Sequence, residues 1–93
     1  MRRIFKFPLA VDDVQDIEMP AGSAVLTVQA QGEIPCIWAS VDSNAPKIKR
    51  RFRTYGTGHP MEDDKDFPHY VGTYQLRSGS LAFHVFTDRV ERP

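Results

Sequence analysis

The chain has little cysteine and no excess of charge of either sign. Cys36 is its single cysteine, which rules out an internal disulfide and a thiolate metal cluster and fits a reducing cytoplasm. Twelve basic residues balance twelve acidic ones. This balance argues against an acidic mimic of DNA and against a protein that coats nucleic acid through bulk charge. Any electrostatic function must therefore be local.

Long apolar runs are missing too. No stretch approaches the roughly 20 apolar residues that span a bilayer. At the N-terminus, Lys6, Pro8 and then two aspartates interrupt the apolar run that a signal peptide requires. We therefore expect no membrane association. The 93 residues make a single domain, 1–93, with one modest core and no room for a cofactor domain, and no cofactor is expected.

Helical periodicity is also absent, because no window places apolar residues at i, i+3, i+4 and i+7 for long enough to form a helix. Apolar and polar residues alternate instead, as in half-buried strands. The residues that share a face are, segment by segment, Phe5, Phe7 and Leu9; Leu26, Val28 and Ala30; Ile37, Ala39 and Val41; Ile48, Phe52 and Thr54; Tyr70, Tyr74 and Leu76; Leu81, Phe83 and Val85. The piece DIEMP, with Ile17 and Met19, adds a brief seventh strand.

Turn signals separate these segments. Residues 31–33 form a tight turn, residues 43–46 a polar loop, and residues 77–80 a hairpin turn in which Gly79 supplies a positive φ. The sequence therefore predicts an all-β fold: a small antiparallel meander of six or seven strands closed into a barrel or sandwich. At most one short helical turn is expected, at residues 61–69 or 11–16.

The segment KIKRRFRTYGTGHP is the candidate binding site. Five of the twelve basic residues fall within its first seven positions. In a strand, Lys49, Arg51, Arg53 and Tyr55 project from one face, and Arg50 shares the other face with the apolar residues. The planar fork of an arginine matches two phosphate oxygens, and a tyrosine ring stacks on a base. This face therefore suits a nucleotide.

The glycines that follow suit an anion. Gly56 and Gly58 let the backbone turn sharply and expose successive N–H groups, and Thr57 and His59 add side-chain donors. The same residues also fit a charged, solvated strand face that ends in a glycine bulge. YGTGHP matches neither the P-loop nor the dinucleotide fingerprint. The sequence leaves both interpretations open.

Other chemistry has weaker support. HPMEDDKDFPH brackets four acidic residues between two histidines, but it lacks the H-E-x-x-H and EF-hand patterns, so we expect an exposed acidic loop and no metal. Cys36 lies on a core strand, His84 stands alone on its strand, and no serine has a nucleophile elbow around it. We therefore expect no catalytic residues and no enzyme.

Five stretches together resemble a family of short proteins of unknown function from bacteriophage and prophage genomes. They are MRRIFKFPL, IPCIWASVD, RRFRTYGTGHP, YVGTYQL and LAFHVF. The resemblance covers residues 2–86, and FRTYGTGHP is its most specific part. It implies a phage accessory protein in the cytoplasm of a bacterial host, where such proteins often counter host defences.

Within that context the leading hypothesis is sequestration of a small phosphate-bearing, nucleotide-like ligand. Arg51 and Arg53 would bind phosphates, Tyr55 or Trp38 would stack on a base, and residues 56–59 would close around the anion. A cavity between subunits of a homo-oligomer is the natural place, since a barrel of this size is filled by its own side chains. The alternatives are an inhibitor that binds a host protein, a binder of single-stranded nucleic acid and a minor virion or assembly component.

Overall fold

The protein is a β-structure throughout the part that the computed structural model describes, residues 1–61 and 65–93. Its strands are β1 (Arg2–Pro8), β2 (Val14–Pro20), β3 (Ala24–Gln31), β4 (Ile34–Asp42), β5 (Lys47–Gly56), β6 (His69–Leu76) and β7 (Leu81–Arg92). No α-helix occurs among the described residues. In particular, none of them forms a helix that could cross a membrane.

The strands form two antiparallel sheets. Sheet A has the order β1-β4-β3 and sheet B the order β2-β5-β7-β6. The predicted all-β class is confirmed, DIEMP lies in β2 as the seventh strand, and the architecture is a sandwich, with no closed barrel among the described strands. The predicted meander is wrong, because only β3–β4 and β6–β7 pair as consecutive strands. The chain passes between the sheets after β1, so β1 and β2 each pair with a strand three positions later.

The sequence predicts a short helical turn either at residues 11–16 or at residues 61–69. Within residues 11–16, Val14 already pairs with Arg53 as the first residue of β2, which excludes a helical turn there. The other candidate, residues 61–69, includes residues 62–64, which lie outside the described residues.

The predicted hairpin turns are confirmed. Gly32, with φ 62°, turns the chain between β3 and β4. Between β6 and β7, Gly79 has φ 89°, and Arg77 and Ser78 adopt left-handed φ values of 52° and 55° as well. The second turn therefore uses two non-glycine residues in a conformation that costs them energy.

The core lies between the two sheets. Sheet B contributes Met19, Phe52 and Val85, and sheet A contributes Ile37, all with an exposed fraction of 0%. Full burial of a side chain of this size stabilises a fold by roughly 1.5–3 kcal/mol. The predicted alternation is confirmed in β4, β5 and β7, where these residues lie on the inner face.

Two strands depart from the alternation because each contains a β-bulge. In β3 the pairing shifts between Val25 and Thr27, so that Val25 packs against the core and Leu26 is 52% exposed. In β6 it shifts between Tyr70 and Gly72, so that Tyr70 is 60% exposed while Tyr74 is 2% exposed. The extra residue of a bulge reverses the face of every side chain on one side of it. The predicted inward positions of Leu26 and Tyr70 are therefore wrong.

The two sheets approach each other closely where β6 passes β3. A Cβ atom added to Gly72 would lie 3.0 Å from Cγ1 of Val28 and 3.5 Å from its backbone nitrogen. Val28 is itself 1% exposed and belongs to the core, so it has little space to move. Glycine at this position lets the two sheets close.

We expect Gly72→Ala to lower the free energy of unfolding by about 1 kcal/mol, because the overpacking exceeds the entropic gain of replacing glycine. Chemical denaturation measures the effect. Val28→Ala removes the contacting methyl groups, so the two substitutions together should cost less than the sum of their separate effects. Strict additivity, or a more stable Gly72→Ala variant, would contradict the tight approach.

Candidate functional site

Lys49, Arg51 and Arg53 of β5 face outward from sheet B, as predicted, but β2 supplies carboxylates beside two of them. Asp16 lies opposite Arg51 and Glu18 opposite Lys49. Arg51 donates from Nε to Oδ1 of Asp16 at 2.7 Å and from Nη2 to Oδ2 at 3.1 Å. The fork expected to bind a phosphate is therefore occupied by a carboxylate of the same chain.

The contact between Arg51 and Asp16 shifts the pKa values of both groups. The hydrogen bond from Arg51 lowers the pKa of Asp16 below its ordinary value, and the same bond raises the pKa of Arg51. Both side chains are partly exposed, at 38% for Arg51 and 32% for Asp16. The pair joins β2 to β5 at the surface.

Tyr55 is buried, with 6% of its surface exposed, although it lies on the outer face of sheet B. The guanidinium carbon of Arg53 lies 4.5 Å from the centroid of its ring, and Phe86 meets the ring edge-on with centroids 5.9 Å apart. The ring of Tyr55 is therefore packed against its neighbours, and little of its surface is exposed. Arg53, stacked above it, brings a positive charge to the same place.

The loop of residues 56–59 uses much of its own hydrogen-bonding capacity. The N–H of Thr57 donates to the carbonyl of Ala82 at 3.1 Å, and the N–H of His59 donates to the carbonyl of Gly56 at 3.1 Å. These two amides were expected to surround an anion, and both already have protein acceptors. The His59 ring folds back over Gly56, since a Cβ added to Gly56 would lie 2.7 Å from Nδ1 of His59.

Trp38 lies apart from the other predicted site residues. It belongs to β4 in sheet A and alternates with Ile37 and Ala39, which are fully buried in the core. Its ring faces outward, where Nζ of Lys6 lies 5.9 Å from the ring centroid. The core of the sandwich separates it from Tyr55, so the two rings do not meet around one ligand.

Most of the predicted site residues line one concave surface, which we call the outer pocket. It has a volume of about 380 Å³, within the range of small-molecule sites. The described residues that line it are Tyr55, Gly56, Thr57, Gly58, His59, Met61, Tyr70, His84 and Phe86. Three aromatic rings and two imidazoles therefore surround a space on the outer face of sheet B.

A chain of hydrogen bonds fixes one wall of the outer pocket. Nε2 of His84 lies 2.6 Å from Oγ1 of Thr57, and Nδ1 lies 2.8 Å from Oγ1 of Thr73. The hydroxyl of Tyr70 lies 2.5 Å from the same Thr73 oxygen.

One arrangement of protons satisfies every group in this chain. Tyr70 donates to Thr73, which donates to Nδ1 of His84; Nε2–H of His84 then donates to Thr57, whose hydroxyl reaches the carbonyl of Ala82 at 3.4 Å. The contacts with Thr57 and Thr73 thereby hold the imidazole of His84 in one orientation. The wall is rigid and offers few unsatisfied groups.

The sequence did not identify Met61, Tyr70, His84 or Phe86 as site residues. Alternation along β7 does place His84 and Phe86 on the same face, and this signal was available. Simple alternation along β6 places Tyr70 on the inner face with Tyr74. The bulge that turns it outward has no clear sequence signature. The ring of Tyr70 lies 5.4 Å from that of Phe86, centroid to centroid.

No group of three or more histidine, cysteine or acidic side chains that could hold a metal ion occurs within residues 1–61 and 65–93. Three of the four acidic residues between His59 and His69 lie outside the described residues.

We expect acid to weaken the contact between β2 and β5. Because the folded pKa of Asp16 lies below the unfolded value of 3.8, its stabilising contribution is complete above that value and is lost as the pH falls through the folded pKa. Asp16→Asn should therefore lower stability at pH 7 and make stability less dependent on pH between 5 and 2. Urea unfolding at several pH values measures this, with Asp12→Asn as the control. Equal pH dependence in both variants would contradict it.

The comparisons with known proteins give one result. A family model described as "Domain of unknown function (DUF7352)" matches residues 1–93. No curated protein and no solved structure matches the chain. The family description names no source, so the phage context stays a prediction, while a family of unknown function is what the resemblance led us to expect. The chain belongs to the family of domains described as DUF7352.

Proposed function

We propose that this domain is a non-enzymatic binding module that sequesters a small nucleotide-like ligand in the outer pocket. The observation that carries the proposal is the grouping of three aromatic rings and two imidazoles around one concave space of about 380 Å³, beside Arg53. Aromatic side chains bind bases by stacking, whatever the base sequence. A rigid wall also lowers the entropic cost of binding a planar group.

In this proposal different residues bind different parts of the ligand. Tyr70 and Phe86 provide the stacking surface, and Tyr70 is the more accessible of the two, at 60% exposure. Arg53 and His59 bind the phosphate at the edge of the pocket. Arg51 has no part in binding, because Asp16 occupies its guanidinium. Trp38 has none either, since it lies on the other sheet.

We expect Tyr70→Ala to weaken nucleotide binding roughly 5- to 150-fold, since stacking on one aromatic side chain is worth about 1–3 kcal/mol. Isothermal titration calorimetry with nucleoside monophosphates and cyclic nucleotides measures the affinity. Arg53→Ala should weaken binding, whereas Arg51→Ala should leave it nearly unchanged. This ranking separates the outer pocket from the simple basic stripe, in which both arginines matter equally.

The matched control is Phe5→Ala, which removes a ring that is 39% exposed on the other sheet. Its affinity should equal that of the wild type. If no nucleotide binds at millimolar concentration, or if Phe5→Ala and Tyr70→Ala weaken binding equally, the proposal fails.

A second candidate function is inhibition of a protein partner through the edge of sheet A. Among the described strands, β1 pairs with β4 alone, which leaves its other edge open in this part of the chain. Ile4 is 65% exposed on this strand, and three basic residues flank it. An open edge offers main-chain hydrogen bonds to an extended segment of a partner.

For this candidate we expect Ile4→Lys to abolish capture of a specific partner from a bacterial lysate, with at least a tenfold loss of affinity once the partner is purified. Ile34→Lys is the matched control, because Ile34 is 61% exposed near the β3–β4 turn. Equal capture by both variants would exclude the β1 edge.

The remaining hypotheses have less support than these two candidate functions. Counter-defence activity, a bacterial cytoplasm and a phage gene follow from the resemblance alone and stay predictions, as do homo-oligomer formation, binding of single-stranded nucleic acid and a role in the virion. Binding of a nucleotide signal by the outer pocket would be compatible with counter-defence, and the affinity measurements do not depend on that context.

A further inference from the structure

A second concave surface lies between the two sheets, where the beginning of β3 faces β6 and β7. We call it the inter-sheet cleft. It has a volume of about 410 Å³, and its polar lining comes from Ser23, Arg50, His69, Thr87 and Arg89. Val25, Leu26 and Val71 supply apolar surface. Of the described residues, Tyr70 alone lines both this cleft and the outer pocket.

Arg50 is a charged residue at a buried position, next to apolar side chains on the same face of its strand. It lies on the inner face of β5 two residues before Phe52, and it is 7% exposed. Its Nη2 donates to the carbonyl of Ser23 at 2.7 Å and to Oε2 of Glu91 at 3.3 Å. Its Nε is buried and has no hydrogen-bond partner among the residues that the structure describes. A buried donor without an acceptor is unfavourable, and such groups in folded proteins call for an explanation.

Arg89, which also lines the inter-sheet cleft, has an unusual backbone conformation. It has φ 60°, a left-handed conformation that is uncommon for a residue with a side chain. The pairing of β7 with β5 is irregular here, and the irregularity brings Arg89 to the cleft. Strained backbone of this kind clusters at ligand-binding sites, where the position of a side chain matters more than its conformational cost.

The charges around the cleft favour an anion. Among the described residues that line the cleft, Arg50 and Arg89 carry two positive charges, and Arg50 is paired with one carboxylate outside the lining, Glu91, which also accepts a hydrogen bond from the N–H of Gly22 at 2.7 Å. The hydroxyls of Ser23 and Thr87 already donate to the carbonyls of Pro20 and Arg51. The two guanidinium groups therefore hold the donors that a ligand can use.

We propose that the inter-sheet cleft binds a small organic anion, a phosphate monoester or carboxylate with an apolar portion. The guanidinium groups of Arg50 and Arg89 bind the anionic group, and the apolar portion lies against Val25, Leu26 and Val71. This site is separate from the outer pocket and does not depend on the function proposed for it. It gives a reason both for a buried arginine in the core of a small domain and for a strained arginine on β7.

The experiment is a titration of the ¹⁵N-labelled protein with phenyl phosphate and with benzoate, followed by two-dimensional NMR, with phenol as the uncharged probe. We expect saturable shifts of the amide signals of residues 23–26, 71 and 89 with at least one of the anions and none with phenol. Absence of saturation at millimolar concentration would overturn the proposal. Shifts confined to residues 55–59 and 86 would also overturn it, and would support the outer pocket instead.

The decisive variant is Arg89→Gly, because glycine adopts a positive φ without strain and the fold should be kept or stabilised. We expect at least a tenfold loss of affinity for the anion that saturates the wild type. Arg77→Gly is the matched control, since Arg77 is an exposed arginine with φ 52° in the β6–β7 turn, away from the cleft. Its affinity should be unchanged. Equal affinity of Arg89→Gly and the wild type would overturn the proposal.

Arg50→Lys tests the buried group. Lysine keeps the charge but lacks the planar fork, so we expect weaker binding of the same anion in a protein that still folds. Thermal unfolding without ligand checks the fold. A folded variant with wild-type affinity would show that Arg50 serves packing alone and would overturn its assigned role.

Discussion

The burial of Phe52 in the centre of sheet B is the constraint from which both candidate sites follow. Strand β5 pairs with β2 on one side and β7 on the other, and its inner face meets the core. Because side chains alternate along a strand, an inward Phe52 also brings Arg50 inward and sends Arg51, Arg53 and Tyr55 outward. One packing requirement thus places a buried charge in the inter-sheet cleft and a charged, aromatic face on the outside.

Charge compensation within the chain decides what the basic residues can do. The equal numbers of acidic and basic residues are matched locally, since Asp16 meets Arg51 and Glu91 meets Arg50. The partly exposed pair of Asp16 with Arg51 contributes little to stability, but it occupies the guanidinium group of Arg51, which would otherwise be available to a phosphate. The outer pocket is therefore lined by aromatic rings and histidines, with Arg53 beside it, whereas Lys49 and Arg51 lie opposite carboxylates of β2 on the strand surface.

Irregularities in the sheets position the residues that make the two concave surfaces distinctive. The bulge after Tyr70 turns its ring outward to Phe86, and the irregular pairing of β7 with β5 brings Arg89 to the cleft. Bulges are common where a strand must redirect one side chain. Here they supply one aromatic ring to the outer pocket and one guanidinium to the cleft.

The amino-acid pattern alone predicts the all-β class, the turns at Gly32 and Gly79, the inner faces of β4, β5 and β7, and the position of Gly56 and His59 at the end of a strand. These follow from alternation and turn chemistry, which depend on neighbouring residues only. The tertiary structure sets the pairing of Asp16 with Arg51, the assignment of Trp38 to the other sheet, the outward position of Tyr70 and the choice of a sandwich over a barrel. Each of these depends on strand partners and register, which are set by packing between residues far apart in the chain, and no local pattern specifies them.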